Sequence, residues 1–312
     1  MSKHSFHHEV FFYAGGGDGF LQGTLSAVNR ALAIGAPVLV AVADGRAALL
    51  KDALGEDAER VSFVNMRELG RNPARIIPAW QEFLAEHPNG SGRGALGIGE
   101  PVWPGRSPAE LVECERHEAL LNLAFDDGPG WHLLCPYDLD GLDDHVIEAA
   151  QRNHPFLARE DSGQSNDAYV CEHEPPHPFD GDLPEPAAPV RELEFTCENL
   201  AELRHLVSAW ADGESLDGER VEELVLAVNE LATNSIRYGG GSGTLLLWRE
   251  HDTLMCEVRD AGHIQGPLLG RARPRPEAQS GRGLWLVNQL CDLVQIRSAA
   301  TGSAVRVHKH LA

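Results

Sequence analysis

The 312-residue chain is predicted to fold as two domains: an α/β domain with a mainly parallel sheet over residues 1–160, and an α+β domain over residues 191–312, joined by a linker over residues 161–190. Three observations carry this reading. From Glu9 to about Arg152, short apolar runs alternate with helical stretches, the rhythm of repeated strand–helix units. Asp161 to Val190 then interleaves Pro175, Pro176, Pro178, Pro184, Pro186 and Pro189 with acidic residues, a composition that holds neither a helix nor a central strand and reads as a semi-rigid linker. Beyond it the order changes to a strand, two helices, two strands, a helix and a closing antiparallel pair.

In the first domain the predicted strands are Val10–Tyr13, Val38–Ala43, Val61–Val64, Ala95–Ile98 and Trp131–Cys135. The predicted helices lie near Leu21–Ile34, Arg46–Leu54, Ala74–Ala85, Ala109–Phe125 and Asp143–Arg152. The first strand runs into Ala14-Gly-Gly-Gly-Asp-Gly-Phe20, where a nucleotide-binding fold carries its phosphate loop. The chemistry is absent there. No Lys and hydroxyl residue follow the last glycine, no G-x-G-x-x-G is present, and Asp18 puts negative charge at the phosphate position, so the glycines read as a tight turn.

Four stretches of this half carry a likeness: Val10-Phe-Phe-Tyr13, Gly97-Ile-Gly-Glu-Pro-Val-Trp103, Glu113-Cys-Glu-Arg-His-Glu-Ala-Leu-Leu-Asn122 and Leu134-Cys-Pro-Tyr-Asp138. Together they resemble the MEDS family, the sensory domain of methanogen and methylotroph regulators. The resemblance implies an input domain that senses an unknown ligand or partner, without catalysis.

The histidines and cysteines are weighed separately. Cys114 and His117, three apart on a helix, with Cys135 as a third member, offer a metal or redox pair, but two ligands do not make a site and the expectation is an ordinary amphipathic helix. His4, His7 and His8 could bind a metal ion, but the expectation is a solvated N-terminal tail. Cys171, His173 and His177 in the linker have metal-compatible spacing without a fourth ligand.

In the second domain, Arg191–Cys197 reads as a strand, and Leu200, Leu203, Leu206, Val207 and Trp210 mark the apolar face of a helix. A longer helix follows, capped by Asp217, with a stripe of Val221, Leu224, Val225, Val228, Leu231, Ala232 and Ile236. Glu230 and Asn234, four apart, share the opposite face, with small Ala227 one turn earlier. Alone, that pair reads as a solvated polar face. Strands Gly243–Glu250 and Leu254–Arg259 lead to Asp260-Ala-Gly262. A segment from Ile264 to Ser280 with Arg271, Arg273 and Arg275 precedes Gly281-Arg-Gly-Leu284, which opens a helix to about Leu293. Val294–Ser298 and Ala304–His310 close the chain across Thr301-Gly-Ser303.

In this order, Glu230…Asn234, Asp260-x-Gly262 and Gly281-x-Gly283 resemble the N, G1 and G2 boxes of the GHKL ATPases, which implies a two-layer α+β sandwich of the Bergerat type that binds ATP and Mg²⁺. On that resemblance the Asn234 amide oxygen is a hard ligand for Mg²⁺. Glu230 orients or deprotonates an attacking hydroxyl and is the catalytic residue. Asp260 accepts from the adenine amino group, Gly262 gives the backbone access to the base, and Gly281 and Gly283 bring helix amides to the phosphates. Arg237, Arg282, Leu284 and Ser303 complete the expected ATP-binding set, and the three lid arginines are either a clamp on the triphosphate or a solvated loop.

Within the superfamily, Glu230-Leu-Ala-Thr-Asn-Ser-Ile-Arg237 and Gly281-Arg-Gly-Leu284 are most similar to the RsbW-type anti-sigma-factor serine kinases, over about residues 191–312. That resemblance implies sequestration of a sigma factor, Mg·ATP-dependent phosphorylation of a Ser or Thr on a STAS anti-anti-sigma partner, a stress-response setting, and a homodimer as one allowed assembly. Tyr238 departs from the pattern, which often has His there. A sensor histidine kinase needs a phosphoacceptor His on a long dimerisation helix, whereas here the linker enters the first strand directly and His205 is the nearest helical candidate. A non-catalytic ATP-binding module is the third reading.

Composition sets the outer bounds. A net charge of −21, from 26 basic and 47 acidic residues, argues against nucleic acid or an anionic membrane as a direct partner. No apolar run approaches the ~20 residues of a membrane span, and six cysteines without CxxC spacing suit reduced thiols, so a cytoplasmic location is expected.

Overall fold

The opening strand β1 (His7–Tyr13) lies inside a sheet, between β5 (His132–Asp138) and β6 (Phe156–Leu157), parallel to both. In the computed structural model, residues 6–88, 94–126, 130–158, 164–170, 181–187, 189–274 and 281–311 are described. The chain divides into two compact units, Met1–Pro175 and Pro176–Ala312. Among the described residues no helix is long and apolar enough to cross a membrane.

In the first unit, β2 (Val38–Val42), β3 (Ser62–Asn65) and β4 (Leu96–Gly99) complete the parallel part of the sheet, and the two-residue β7 (Gln164–Ser165) adds an antiparallel edge. The strand order is β3-β2-β4-β5-β1-β6-β7. Helices α1 (Gly16–Ala33) and α2 (Asp44–Leu54) cover one face, burying Phe20, Val28 and Leu50 against Val40 and Ile98. The short α3 (Met66–Leu69), α4 (Ile76–Glu86), α5 (Pro108–Ala124) and α6 (Asp144–Asn153) complete the helices. Gly97 and Gly99 point away from the α1 face, where a Cβ would come to 3.1 and 3.0 Å of the Trp80 ring of α4. The Gly-Ile-Gly stretch thus serves close helix–sheet packing.

The turn after β1 is shorter than expected, because α1 begins at Gly16 and takes in Gly16, Gly17 and Gly19, which leaves Ala14 and Gly15 as the connection. Gly15 takes a left-handed φ of 80° ahead of α1, and its N–H donates to Asp140 Oδ2 at 2.7 Å. The protein's own carboxylate therefore sits where a phosphate loop would hold an anion.

One expectation is overturned. His7 and His8 are strand residues, not a solvated tail, because β1 begins at His7 and His8 is fully buried. Aromatic stacking of Phe6 on Trp131, with ring centroids 5.0 Å apart, holds the strand in from its first described residue. His4 lies outside the described residues.

The second unit is a two-layer α+β sandwich. Its five strands are antiparallel in the order β11-β12-β10-β9-β8: β8 (Arg191–Thr196), β9 (Ser242–Glu250), β10 (Thr253–Asp260), β11 (Leu293–Ala299) and β12 (Gly302–His310). Helices α7 (Leu200–Gly213), α8 (Gly218–Tyr238) and α9 (Arg282–Leu290) pack on one face. Their core joins Leu203, Val207, Leu224, Val228 and Leu231 to Leu245, Cys256, Val294 and Val307. Ala227, expected on the polar face of α8, is wholly buried in that core. The helix expected to reach Leu293 stops at Leu290, because Leu293 already pairs with His308 in the sheet.

The outer sheet face is also covered in part. Glu257 is completely buried there, receiving Arg306 Nε at 2.6 Å and Arg259 Nε at 2.5 Å, and the Arg306 guanidinium lies 5.0 Å from the Trp248 ring centroid. Arg306 also donates to Pro184 O at 2.7 Å, so part of the acidic proline-rich segment is laid against this sheet rather than extended in solvent.

Candidate nucleotide-binding site

Helix α8 supplies one wall of a cavity of about 280 Å³ in the second unit. Asp217 caps the helix by accepting from the Glu219 N–H at 3.1 Å, and burial of Leu224, Val228 and Leu231 fixes which face turns outward. Glu230 and Asn234 are then half-buried, one turn apart on the face that meets α9.

The N-terminus of α9 comes directly onto that pair. Gly281 takes a left-handed φ of 87° as the cap of α9, a conformation glycine adopts without a side-chain penalty. A Cβ at Gly283 would lie 2.9 Å from Asn234 Nδ2 and 3.0 Å from Glu230 Oε2. Gly283 thus brings the start of the helix against the carboxylate and the carboxamide.

Asp260 ends β10 and is the most tightly held group of the cleft. Ser235 Oγ donates to Oδ2 at 2.6 Å, while the Gly262 N–H and Ser303 Oγ donate to Oδ1 at 2.8 and 2.9 Å. Ser303 reaches it because Asp260 and Ser303 are directly opposite in the β10–β12 ladder. A carboxylate offers about four acceptor positions, so Oδ2 keeps one for a further donor. Gly262 is required by its neighbours, since a Cβ would meet Gly239 Cα at 2.8 Å and Tyr238 O at 2.9 Å.

Of the residues expected at the site, Asn234, Asp260, Gly262, Gly281, Gly283, Leu284 and Ser303 line the cavity. Glu230 stands at its edge through Gly283, and Arg237 and Arg282 are exposed and outside the lining. Tyr238, where the sequence departs from pattern, does line it. Arg271 is buried and Arg273 exposed, so the lid arginines do not act as one solvated set; Arg275 lies outside the described residues, as do Cys171, His173 and His177.

Three contributors were not foreseen. Ser235 and Gly239 support Asp260, the latter because a Cβ there would come to 2.4 Å of Asp260 Cγ. Asn288, buried in α9, donates to Gly270 O at 3.0 Å and pins the start of the lid segment to the helix. The only sequence signal for Ser235 was its spacing, four after Leu231 on the buried stripe.

A five-stranded antiparallel sheet, three helices on one face, and a cleft between the α8 face and the α9 start define an ATPase domain of the histidine-kinase type. Residues 193–309 match the family model of the histidine kinase-like ATPase domain, and residues 7–155 match the MEDS model, the methanogen/methylotroph, DcmR sensory domain. The chain therefore carries an N-terminal MEDS domain and a C-terminal histidine kinase-like ATPase domain.

Among solved structures, the chain is similar to the RsbU and RsbW domains of Rv1364c from Mycobacterium tuberculosis, at 15% identity and a TM-score of 0.32 over 40% of this chain and 32% of that one. It is also similar to the histidine kinase AdeS from Acinetobacter baumannii, at 12% identity and a TM-score of 0.24 over 40% of this chain and 69% of that one. The match thus spans about a third of the Rv1364c chain. No curated protein matches the sequence.

Proposed function

We propose that the chain is an anti-sigma regulatory kinase: residues 1–160 sense a signal, residues 161–190 link, and residues 191–312 bind Mg·ATP and transfer phosphate to a Ser or Thr of a STAS partner while holding a sigma factor. The observation that carries this reading is Gly283 against both Glu230 and Asn234, which joins a general base, a hard oxygen ligand and a helix N-terminus at one end of the Asp260 cleft.

The residues present fit a nucleotide. Asp260 keeps an acceptor position on Oδ2, suited to an exocyclic amine, and Leu231, Val258, Ile264, Leu269 and Val305 offer apolar walls for a base. Asn234 would hold Mg²⁺, which when bound neutralises phosphate charge. Gly281 and Gly283 leave the α9 amides open to phosphate oxygens. Glu230 would take the proton of the attacking hydroxyl as the new O–P bond forms and the bond from the γ-phosphorus to the bridging oxygen breaks, ADP leaving.

A protein hydroxyl is favoured over a histidine as acceptor because β8 follows the proline-rich segment directly, with no dimerisation helix between Pro189 and Arg191. His205 is exposed on α7, inside the ATPase domain itself.

Incubation of the full chain with γ-labelled ATP, alone and with STAS proteins, tests the assignment. Label on a STAS Ser or Thr is the expected result. Acid-labile label on the chain itself identifies a histidine kinase instead, and bound ATP without transfer to any STAS protein reduces the domain to a binding module. Asn234→Ala is expected to abolish Mg²⁺-dependent nucleotide binding. Glu230→Ala is expected to spare binding and slow transfer by about 10²- to 10⁴-fold.

A further inference from the structure

Away from the nucleotide cleft, the first unit buries four metal-ligating side chains around one point. His8 comes from β1, Cys135 from β5, Glu118 from α5 and His154 from the residue that ends α6, and none is more than 1% exposed. Strand alternation and register bring the first two together, since β1 and β5 are parallel with His8 opposite Leu133 and Val10 opposite Cys135. Glu118 shares the buried face of α5 with Cys114, His117 and Leu121. Cys114 Sγ donates to Pro101 O, and the residue of this helix that joins the cluster is Glu118.

The donor atoms have the spacing of a coordination shell. His8 Nε2 and His154 Nε2 lie 3.1 and 3.3 Å from Glu118 Oε2, and Cys135 Sγ lies 3.5 Å from His8 Nε2 and 4.0 Å from Glu118 Oε2. One atom from each residue falls within 4.8 Å of all the others. A tetrahedral zinc ion with bonds of roughly 2.0–2.3 Å separates its ligand atoms by roughly 3.3–3.6 Å.

The surrounding hydrogen bonds decide which ring nitrogens carry protons. His154 Nδ1 lies 2.7 Å from Ala150 O, and a carbonyl only accepts, so Nδ1 is a donor and Nε2 is the nitrogen that faces the cluster. Asn122 Nδ2 donates to Asn153 O at 2.8 Å, which turns Oδ1 toward His8 Nδ1 at 3.0 Å and makes that nitrogen a donor as well. Both Nε2 atoms thus converge on the same Glu118 oxygen. A carboxylate held in a dry interior needs positive charge beside it, and a metal ion placed among the two Nε2 atoms, the Glu118 oxygen and the Cys135 sulfur supplies it.

We propose that His8, Glu118, Cys135 and His154 form a closed, four-coordinate site for a divalent transition metal, with Zn²⁺ as the fitting ion. The donor set of two imidazoles, one sulfur and one carboxylate suits Zn²⁺ over Mg²⁺ or Ca²⁺, which take oxygen ligands. The Cys135 S–H bond breaks as the metal–sulfur bond forms and the proton passes to solvent. With Zn²⁺, one thiolate and one carboxylate the site is electrically neutral, as a buried site needs to be. The Ala150 carbonyl and Asn122 are the outer partners that orient the two rings, and Tyr137 OH donates to the second Glu118 oxygen at 3.3 Å.

A second cluster supplies the control. His7, Glu9 and His132 meet on the other face of the same strands, but there each Glu9 oxygen already receives one imidazole at 2.7 Å. This proposal stands apart from the ATP reading, and its test does not use nucleotide.

The full chain, stripped with chelator and dialysed, is titrated with Co²⁺ and then Zn²⁺. One equivalent of Co²⁺ is expected to give tetrahedral d–d absorption with a thiolate-to-metal charge-transfer band, and Zn²⁺ to displace it. Cys135→Ser is expected to remove the charge-transfer band, Asn122→Ala to weaken Zn²⁺ affinity by about 10- to 100-fold, and His132→Gln to change neither. Folded wild-type chain that takes up no Co²⁺, a charge-transfer band that survives Cys135→Ser, or one lost in His132→Gln overturns the site. Should Cys135→Ser fail to fold, X-ray absorption at the zinc edge of the wild-type chain decides, one sulfur with three lighter ligands supporting the site and no sulfur refuting it.

Discussion

At the scale of single residues, two glycines of the second unit separate stability from binding. Gly283 is the second residue of α9 and has a helical backbone, so Ala is tolerated by the backbone there. Its Cβ would press on the movable ends of Asn234 and Glu230, displacing the two groups the nucleotide reading needs. Gly283→Ala is expected to keep or raise the unfolding midpoint and to weaken ATP binding at least about tenfold, the equivalent of about 1.4 kcal/mol, as read by calorimetric titration. Gly302→Ala has the opposite signature. Its φ of 140° is a conformation L side chains rarely adopt, and a Cβ would lie 2.3 Å from Asp260 O, a backbone atom that cannot turn aside. That variant is expected to lose on the order of 1–3 kcal/mol in urea unfolding. Equal effects of both substitutions on stability would remove the distinction.

In the first unit, Glu100 follows β4 and accepts from Tyr13 OH at 2.8 Å with Arg46 Nε at 4.0 Å. Burial, only partly offset by the Tyr13 hydrogen bond and Arg46, pushes its carboxyl from 4.5 up to about 7. The folded chain therefore holds a proton that the unfolded chain has released, and stability falls as pH rises between about 4.5 and 7. Glu100→Gln keeps an acceptor for Tyr13 and is expected to flatten that slope, with a gain on the order of 2–3 kcal/mol at neutral pH. An unchanged slope in denaturant midpoints across that window would refute the assignment to Glu100.

At the scale of elements, the helices and strands follow from patterns that are local. The α8 stripe and its Asp217 cap, the turn before α1 and the antiparallel pair at the C-terminus are all set by residues within one or two turns of one another. Loss of the cap in Asp217→Ala is accordingly expected to cost about 1 kcal/mol while leaving nucleotide affinity unchanged, a comparison for denaturant unfolding and titration on the same sample. What local pattern does not carry is cross-strand and cross-helix apposition. Ser303 holds Asp260 only because of the β10–β12 register, and Asn288 holds Gly270 only because the lid folds back on α9. The same limit hid the four-residue cluster of the first unit. His8 and His154 are 146 positions apart in the chain, and the sequence neighbours of His8, His7 and Glu9, point to the other face of the strand, so the meeting with Glu118 and Cys135 is a product of the parallel β1–β5 pairing and the burial of α5. His8 was misread because three histidines in the first eight residues suggest a polar tail, whereas the strand that begins at His7 lies inside the sheet and buries His8, Glu9 and Val10 in succession.

At the scale of the whole molecule, the two proposed sites belong to different units, which makes regulation a measurable quantity. A sensory domain acts on an ATPase domain only if its occupied and empty forms bias the nucleotide-binding state differently. If Zn²⁺ at His8, Glu118, Cys135 and His154 is part of that input, loading it changes the ATP dissociation constant of the full chain by a factor of about 5–150, the usual range of coupling between sites. Linkage then requires that saturating ATP change the Zn²⁺ affinity by the same factor, because both follow from one free-energy cycle. Asn122→Ala, which weakens the metal without touching the cleft, is expected to move the ATP affinity toward that of the metal-free chain at limiting Zn²⁺. Titrations of ATP into loaded and stripped protein, and of Zn²⁺ with and without ATP, close the cycle. Identical ATP affinities in the loaded and stripped folded chain would make the ion a structural clamp on β1, β5, α5 and α6, and would move the sensed signal to another part of the domain.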